Sequence, residues 1–506
     1  MDNSEKVGPK DVALAVDPVA DGSAEYQEYL RLAHIFQGDA LNRLTRKVDW
    51  HVLPQLIFIY LLSYADRSNV ANAKLYGAAT DMKMSSTQWN IGLSVFFITY
   101  ALAGPPSNMA LKRFGPKRVL PIILLCVSFV LIGSGCASTF GQWIALRMLL
   151  GAFEAGMFPG CCYTLTTWYT PAQIHSRTTI YYSGASLAGA FSGLLAYGIG
   201  HLDGTWGYKG WRFIYVIEGL FTTVVAGIAC FVLYDQPGKV GKWLTDDEKR
   251  FLVLRNEFEY GGKNTAGAMD GFSWRLARQS LKSWHVYLMA FSFFSVAVAV
   301  YGLSFTLPTI IANMGFTAAN AQLLSIPPYV FACFCVILSG WWSDKYRLRM
   351  WSTVIPSAVG FIGLLIAVLT TRHKNLIPLA YIGVCLATGG MYCLSPCIAV
   401  WIGLNQAGQT KRAMSVAMTI LFSQFGGLVG SNIYLANEAP SYPTGFGCSL
   451  GFLGAGCIVV PVLYWYIIGR INAKREALSE AEIYDKYSVD ELQDMGDLSP
   501  LYRYER

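Results

Sequence analysis

The sequence predicts an all-α membrane protein, with twelve transmembrane helices arranged as two six-helix bundles. Three observations carry that prediction. Of 506 residues, 54% are hydrophobic and only 14% charged, where soluble domains carry about 25% charged residues. The charges are also segregated: residues 1–40, 235–284 and 470–506 hold 42 of the 71, leaving 29 for the other 379 residues. A soluble surface must be wetted, and so thinly charged a sequence cannot supply one. The third observation is a repeat. Stretches long enough to cross ~30 Å of hydrocarbon come as six, a 50-residue polar interruption, and six more. Trp50-His51-Val52 opens the first and Trp284-His285-Val286 the seventh, an offset of 234. The loops LKRFGPKR (111–118) and SDKYRLR (343–349) correspond at an offset of 232. Parallel six-helix repeats around a central site are a transporter architecture.

The elements follow in chain order. Residues 1–48 are polar and acidic-leaning at the start, with no apolar signal-peptide core, and read as a cytosolic tail. Spans are expected near 50–70, 89–110, 119–138, 142–166, 178–200 and 212–234, forming the bundle 49–234. The first holds Tyr64, Asp66 and Arg67; the second Pro105-Pro106; the fourth Arg147, Glu154 and Pro159; the fifth Tyr181-Tyr182; the sixth Glu218. The linker 235–284 carries a helix signature, Thr245 as N-cap with Glu248 three residues on. The second bundle, 285–469, has spans near 285–310, 321–342, 352–371, 377–404, 413–435 and 446–468. Its seventh span holds Tyr301 and Pro308, its eighth Pro327-Pro328, its tenth Tyr392 and Pro396. Prolines such as these interrupt helices, and interrupted spans are where cavities form. Small-residue spacings at Ala185-Gly189-Gly193 and Gly426-Gly430 read as packing. A cytosolic tail, 470–506, closes the chain.

Loop charges set the orientation. With the N-terminus inside, short inner loops carry ten Lys and Arg against six outside, and helix flanks raise the inner count to sixteen. Both termini are therefore expected in the cytosol. The same inside bias accounts for the net charge of +7, and no basic stripe with interleaved aromatics points to nucleic acid. The twelve cysteines lie in apolar stretches without C-x-x-C pairs, which suits packing and predicts neither disulfide nor metal site. No cofactor is called for.

Ionisable side chains inside spans carry the chemistry, since each costs about 2.5–3.5 kcal/mol on insertion scales. Arg147 and Glu154 are seven residues apart, two helical turns, and share a face. Glu154, mid-span, has no cation adjacent in sequence and is the candidate proton-coupling carboxylate. The alternative is structural, with Glu154 permanently ionised against Arg147 or Arg67. Asp66 and Arg67 are neighbours about 100° apart and cannot face one cavity. Arg67 is the candidate anion-binding group, because its planar fork donates two parallel hydrogen bonds to a carboxylate. Its alternative is a boundary arginine reaching outward to water. Arg147, Tyr64, Tyr301 and Tyr392 complete the expected substrate pocket.

These residues resemble a known family. RKVDWHVLPQLIFIYLLSYADRSNVANAK (46–74), PSNMALKRFGPKR (106–118) and RMLLGAFEAGMFPG (147–160) are similar to the major facilitator superfamily. More narrowly, with GWRFIYVIEGL (210–220), GWWSDKYRLR (340–349) and TKRAM (410–414), the chain resembles the anion:cation symporter family in its fungal allantoate permease-like branch. The resemblance implies uptake of a small organic anion such as a vitamin, carboxylate or ureide, coupled to protons, by a transporter without cofactor. It implies that Arg67, Arg147 and Glu154 match functional charged positions. It also implies that Lys112, Arg113, Asp344, Lys345 and Arg347 match a cytosolic gating motif. The chain departs from the pattern at Gly104, where relatives carry Glu, and at Lys112, where Asp is usual. Residues 286–307 hold no charge, which favours a monoanion over a dianion.

The expectation is a monomeric plasma-membrane permease working by alternating access. An exporter of a small acidic metabolite is the alternative on the same fold. A polytopic membrane enzyme or a non-transporting nutrient receptor are alternatives of other classes. The six-plus-six repeat favours the transporter over the enzyme, and neither tail is the long extension usual in the receptor.

Overall fold

The computed structural model describes residues 24–506 apart from 240–242, 260–273, 347, 372, 407–408, 489–490 and 493–494. Regular structure in the described residues is helical throughout. Six membrane-length segments form the first half: α1 (Asp39–Leu75), α2 (Ser86–Phe114), α3 (Pro116–Cys136), α4 (Phe140–Glu154 and Met157–Trp168), α5 (Pro171–Gly200) and α6 (Gly210–Val232). Six form the second: α7 (Trp284–Asn313), α8 (Ala318–Tyr346), α9 (Arg349–Thr370), α10 (Ile377–Tyr392 and Leu394–Leu404), α11 (Gln409–Ile433) and α12 (Pro443–Glu476). An even number of crossings brings both described ends to one side, the terminal face.

Nine of these segments qualify as membrane spans by length and composition among the described residues; α1, α2 and α5 do not. The reason is physical. Two of them, α1 and α5, carry their polar residues inward, where protein replaces water as partner. In α1, Ser63, Asp66, Arg67, Asn69 and Asn72 are all buried, and in α5 so are Thr179, Ser183, Ser186 and Ser192. The halves meet where α5 packs along α8 and α2 along α11. Glycines allow the approach: a Cβ on Gly189 of α5 would lie 2.7 Å from the Tyr329 ring of α8, and one on Gly427 of α11 would lie 2.3 Å from Phe97 of α2.

Proline disrupts fewer helices than expected. α4 does break, ending at Glu154 and resuming at Met157, because Pro159 has no N–H for the carbonyl of Ala155. α10 breaks likewise at Cys393, three residues before Pro396. Pro105-Pro106, Pro308 and Pro327-Pro328, by contrast, lie inside uninterrupted α2, α7 and α8. There, packing against neighbouring helices holds the geometry despite a lost backbone bond. Between α2 and α3, Gly115 takes φ +79°, with the Asp235 carboxylate where a Cβ would stand.

The linker does form its helix, Asp246–Glu259, closed by the reciprocal Thr245–Glu248 capping box. It has no core of its own and borrows one. Phe251 and Phe258 pack their rings against Tyr26 and Tyr29 of a helix, Ala24–Ile35, and Phe36 just after it, inside the stretch read as tail. Lys47 at the foot of α1 pairs with Glu248 at 2.8 Å, and His51 stacks on Trp243. None of the twelve cysteines forms a disulfide among the described residues.

Candidate functional site: a buried charge cluster between the bundles

Within two turns α1 buries Ser63, Asp66, Arg67 and Asn69, with Ser63 and Arg67 turned to α4 and Asn69 to α6. Arg67 points to the centre of the molecule, 7% exposed. Its Nε donates to Glu154 Oε1 on α4 at 2.6 Å, and its Nη1 to the Tyr301 hydroxyl on α7 at 3.0 Å. Ser63, one turn earlier, donates to the same Glu154 oxygen at 2.7 Å. Aromatic faces enclose the guanidinium: its carbon lies 4.7 Å from the Tyr100 ring centre, 5.4 Å from Phe96 and 5.7 Å from Tyr64. A desolvated cation over such faces gains about 2 kcal/mol. The boundary alternative for Arg67 is not what the fold adopts.

Asp66 turns the other way, into the first bundle, as the 100° step demands. It is fully buried within the electrostatic reach of Glu218, Glu154, Arg67 and Arg147. Neither of its carboxylate oxygens has a hydrogen-bond partner among the described residues. Glu218 on α6 accepts from Asn69 of α1, whose carbonyl oxygen accepts from Ser192 of α5. Arg147 does not meet Glu154, although the two share a helix. It donates to the Tyr215 hydroxyl of α6 at 2.9 Å and lies over Trp143. The break after Glu154 lets that carboxylate reach α1 while Arg147 stays against α6.

The two guanidiniums nonetheless border one opening. Arg67 and Arg147 line a tight crevice whose other walls are Leu93, Phe96 and Phe305. The second bundle adds hydroxyls and rings without charge. Tyr301 sits edge-on to Phe97. Tyr392 bonds Ser304 at 3.0 Å and stands perpendicular to both Tyr64 and Tyr329. The expected pocket residues Arg67, Arg147, Tyr64, Tyr301 and Tyr392 thus converge on the interface between the bundles. On one side of it Ser94 of α2 and Asn432 of α11 bond at 2.7 Å; toward the terminal face Tyr182 of α5 stands near Ser395 of α10.

Several wall residues were not foreseen. Phe96 and Tyr100 are four apart on α2 and so share a face, a readable signal. Ser63 stands at the same spacing from Arg67. Tyr215 and Ser304 gave no local sign. The expected gate residues are dispersed. Arg113 is exposed against Phe114, and Lys345 is exposed over Trp341 and Tyr346. The side chains of Lys112 and Asp344, and all of Arg347, lie outside the described residues. No cluster of three or more His, Cys, Asp or Glu suited to a metal ion occurs among the described residues.

Comparison with known proteins agrees with this architecture. Residues 56–431 match the sequence model described as Major Facilitator Superfamily. The chain is 38% identical to the MFS-type transporter cnsO of Penicillium expansum, over 100% of this chain and 98% of that one. It is 29% identical to the high-affinity nicotinic acid transporter of Saccharomyces cerevisiae, over 92% and 84%. The fold superposes on the xylose transporter XylE from E. coli in a partially occluded inward open conformation. That match has a TM-score of 0.62 at 13% identity, covering 82% of this chain and 97% of that one.

Proposed function

The chain belongs to the Major Facilitator Superfamily and is a multi-pass membrane transporter; from that premise we propose that it takes up a small organic monoanion together with protons. The observation that carries the proposal is the Arg67–Glu154 pair, buried at the bundle interface inside an aromatic cage. Glu154 occupies the Nε side of the fork that an incoming carboxylate would use. Substrate anion and Glu154 therefore compete for one cation, and a proton on Glu154 releases Arg67 to the substrate. Binding of anion and proton becomes mutually favourable, which is coupling in its thermodynamic sense.

Charge counting supports the same reading. The cluster holds three carboxylates, Asp66, Glu154 and Glu218, against two guanidiniums, Arg67 and Arg147. An uncompensated buried charge costs several kcal/mol, and one proton cancels the surplus. The second bundle faces the site with neutral Tyr301, Tyr392 and Ser304, so one anionic end is all the site complements. The yeast relative is named for nicotinic acid, a small monocarboxylic acid, which is the same chemical class. These features favour the anion:cation symporter branch of the superfamily. The basic loops favour a cytosolic terminal face; a plasma-membrane address and a monomeric working unit are part of the same proposal.

The test is a growth-based or radiolabelled uptake panel of mono- and dicarboxylates in a transport-deficient host, with and without a protonophore. Monocarboxylates should accumulate, and the protonophore should abolish accumulation. A preference for dianions, or accumulation indifferent to the proton gradient, would overturn the proposal.

A further inference from the structure

The segment that follows α12 does not trail away from the membrane domain. It folds back beneath the second bundle and binds the ends of its helices at the terminal face. The binding engages first the backbone of the segment. Asn405, at the end of α10, brackets the backbone of Glu505: its Nδ2 donates to the carbonyl at 3.0 Å and its Oδ1 accepts from the N–H at 2.7 Å. Asn472 of α12 does the same to Tyr504, at 2.9 and 3.0 Å. Arg475 of α12 donates to the carbonyls of Tyr502 and Asp497 at 2.9 and 2.8 Å. Two amide side chains reading backbone as a strand would is a built docking site, and its occupant is this chain's own residues 496–506.

Two cations are neutralised in the process. Asp497 is fully buried and pairs with Lys411 at the start of α11, itself 5% exposed. Glu505 reaches Arg349, the first residue of α9 and the end of the basic loop 343–349, at 3.4 Å; Arg349 is 8% exposed and also donates to Ser343 Oγ. The linker between the bundles is fastened at the same spot, since Ser280 donates to the Lys411 carbonyl at 3.1 Å and bonds the Ser415 hydroxyl. On the first bundle, the terminal face keeps Arg113, Lys117 and Arg118 exposed. Without the Asp497 and Glu505 carboxylates both rims would be more positive, and closing them would bring like charges together.

We infer that residues 496–506 are a latch that withdraws Lys411 and Arg349 from the terminal face and so favours the state in which that face is closed. The latch acts on the conformational equilibrium of an alternating-access carrier. It touches none of the substrate-site residues, so it stands or falls separately from the nature of the substrate.

The experiment uses full-length protein in reconstituted vesicles, with the exposed Cys136 and Cys230 replaced by Ser. Reporters are Ser395→Cys, buried at the interface toward the terminal face, and Ser94→Cys on the other side. A membrane-impermeant maleimide is applied from each face, and rates are compared with the same background lacking the reporter. In Asp497→Asn/Glu505→Gln, labelling of residue 395 from the terminal side should rise roughly five-fold or more. Labelling of residue 94 from the opposite side should fall in step, and both changes should shrink at high salt. Glu505→Gln alone leaves the buried Lys411–Asp497 pair intact and should shift both reporters in the same directions by less. Unchanged labelling in either folded variant overturns the latch. So does a rise at both reporters together, which marks loosened packing in place of a shifted equilibrium.

Discussion

At the scale of single residues, a guanidinium is specified here by more than its charge. Arg67 uses Nε for Glu154, Nη1 for Tyr301 and its flat faces for Tyr100 and Phe96. Lysine offers a point charge without a fork or a stacking plane. Arg67→Lys should therefore raise the KM for substrate by roughly ten-fold or more, the loss of one charge-assisted hydrogen bond, while surface expression stays near wild type. Uptake kinetics alongside surface biotinylation check it. The sequence made Arg67 and Glu154 visible as charges inside spans, because such charges need a partner. It left their pairing open: Arg147 and Arg67 both stood as partners for Glu154, and the fold hands Glu154 to α1 and Arg147 to Tyr215. Which helix lies across from a buried charge is a tertiary fact with no local signature. Asp66 was a residue whose direction could be read, since two neighbours on a helix must diverge.

At the scale of elements, span positions were legible from apolar length and the consequences of proline only in part. Pro159 and Pro396 break their helices, while the prolines of α2, α7 and α8 do not. The difference lies in what packs around each one, which no window of sequence contains. The break in α4 matters because it sits directly after Glu154. One turn before it, Gly151 lets α4 touch α2: a Cβ there would stand 2.3 Å from the Phe96 carbonyl oxygen and 2.4 Å from Thr99 Oγ1. Backbone cannot yield as a flexible side chain can. Gly151→Ala should cost about 1–3 kcal/mol, the range for overpacking, and should disturb the Phe96 wall of the Arg67 cage. A lowered thermal midpoint in detergent together with a raised KM is the expected pair of results. A normal midpoint would show that the α2–α4 contact is softer than its geometry implies.

At the scale of the whole molecule, the helices Ala24–Ile35 and Asp246–Glu259 form a platform under the first bundle at the terminal face, and this platform has its own pH dependence. Burial alone would raise the Glu248 carboxyl, but its bonds to Lys47 and to Thr245 hold it below the usual range. A carboxylate depressed on folding adds stability that is present above its unfolded value, ~4.3, and is lost as pH falls through the lower folded value. Glu248→Gln should therefore lower stability at neutral pH slightly and flatten its decline below about pH 4, as thermal midpoints across pH would record. The platform was half legible: the Thr245–Glu248 cap was readable, the aromatic seam with Ala24–Ile35 was not. At this scale too stands the central claim, that anion and proton are coupled because substrate and Glu154 compete for Arg67. Removing one member of a buried pair can cost about 3–5 kcal/mol, so the variant must first be shown to be folded. The direct measurement sets substrate counterflow beside pH-driven uptake in reconstituted vesicles containing Glu154→Gln. The account predicts that counterflow survives, since a neutral side chain leaves Arg67 open to substrate, while uphill accumulation on a proton gradient is abolished. Equal loss of both in a well-folded protein, or accumulation that persists, would contradict it.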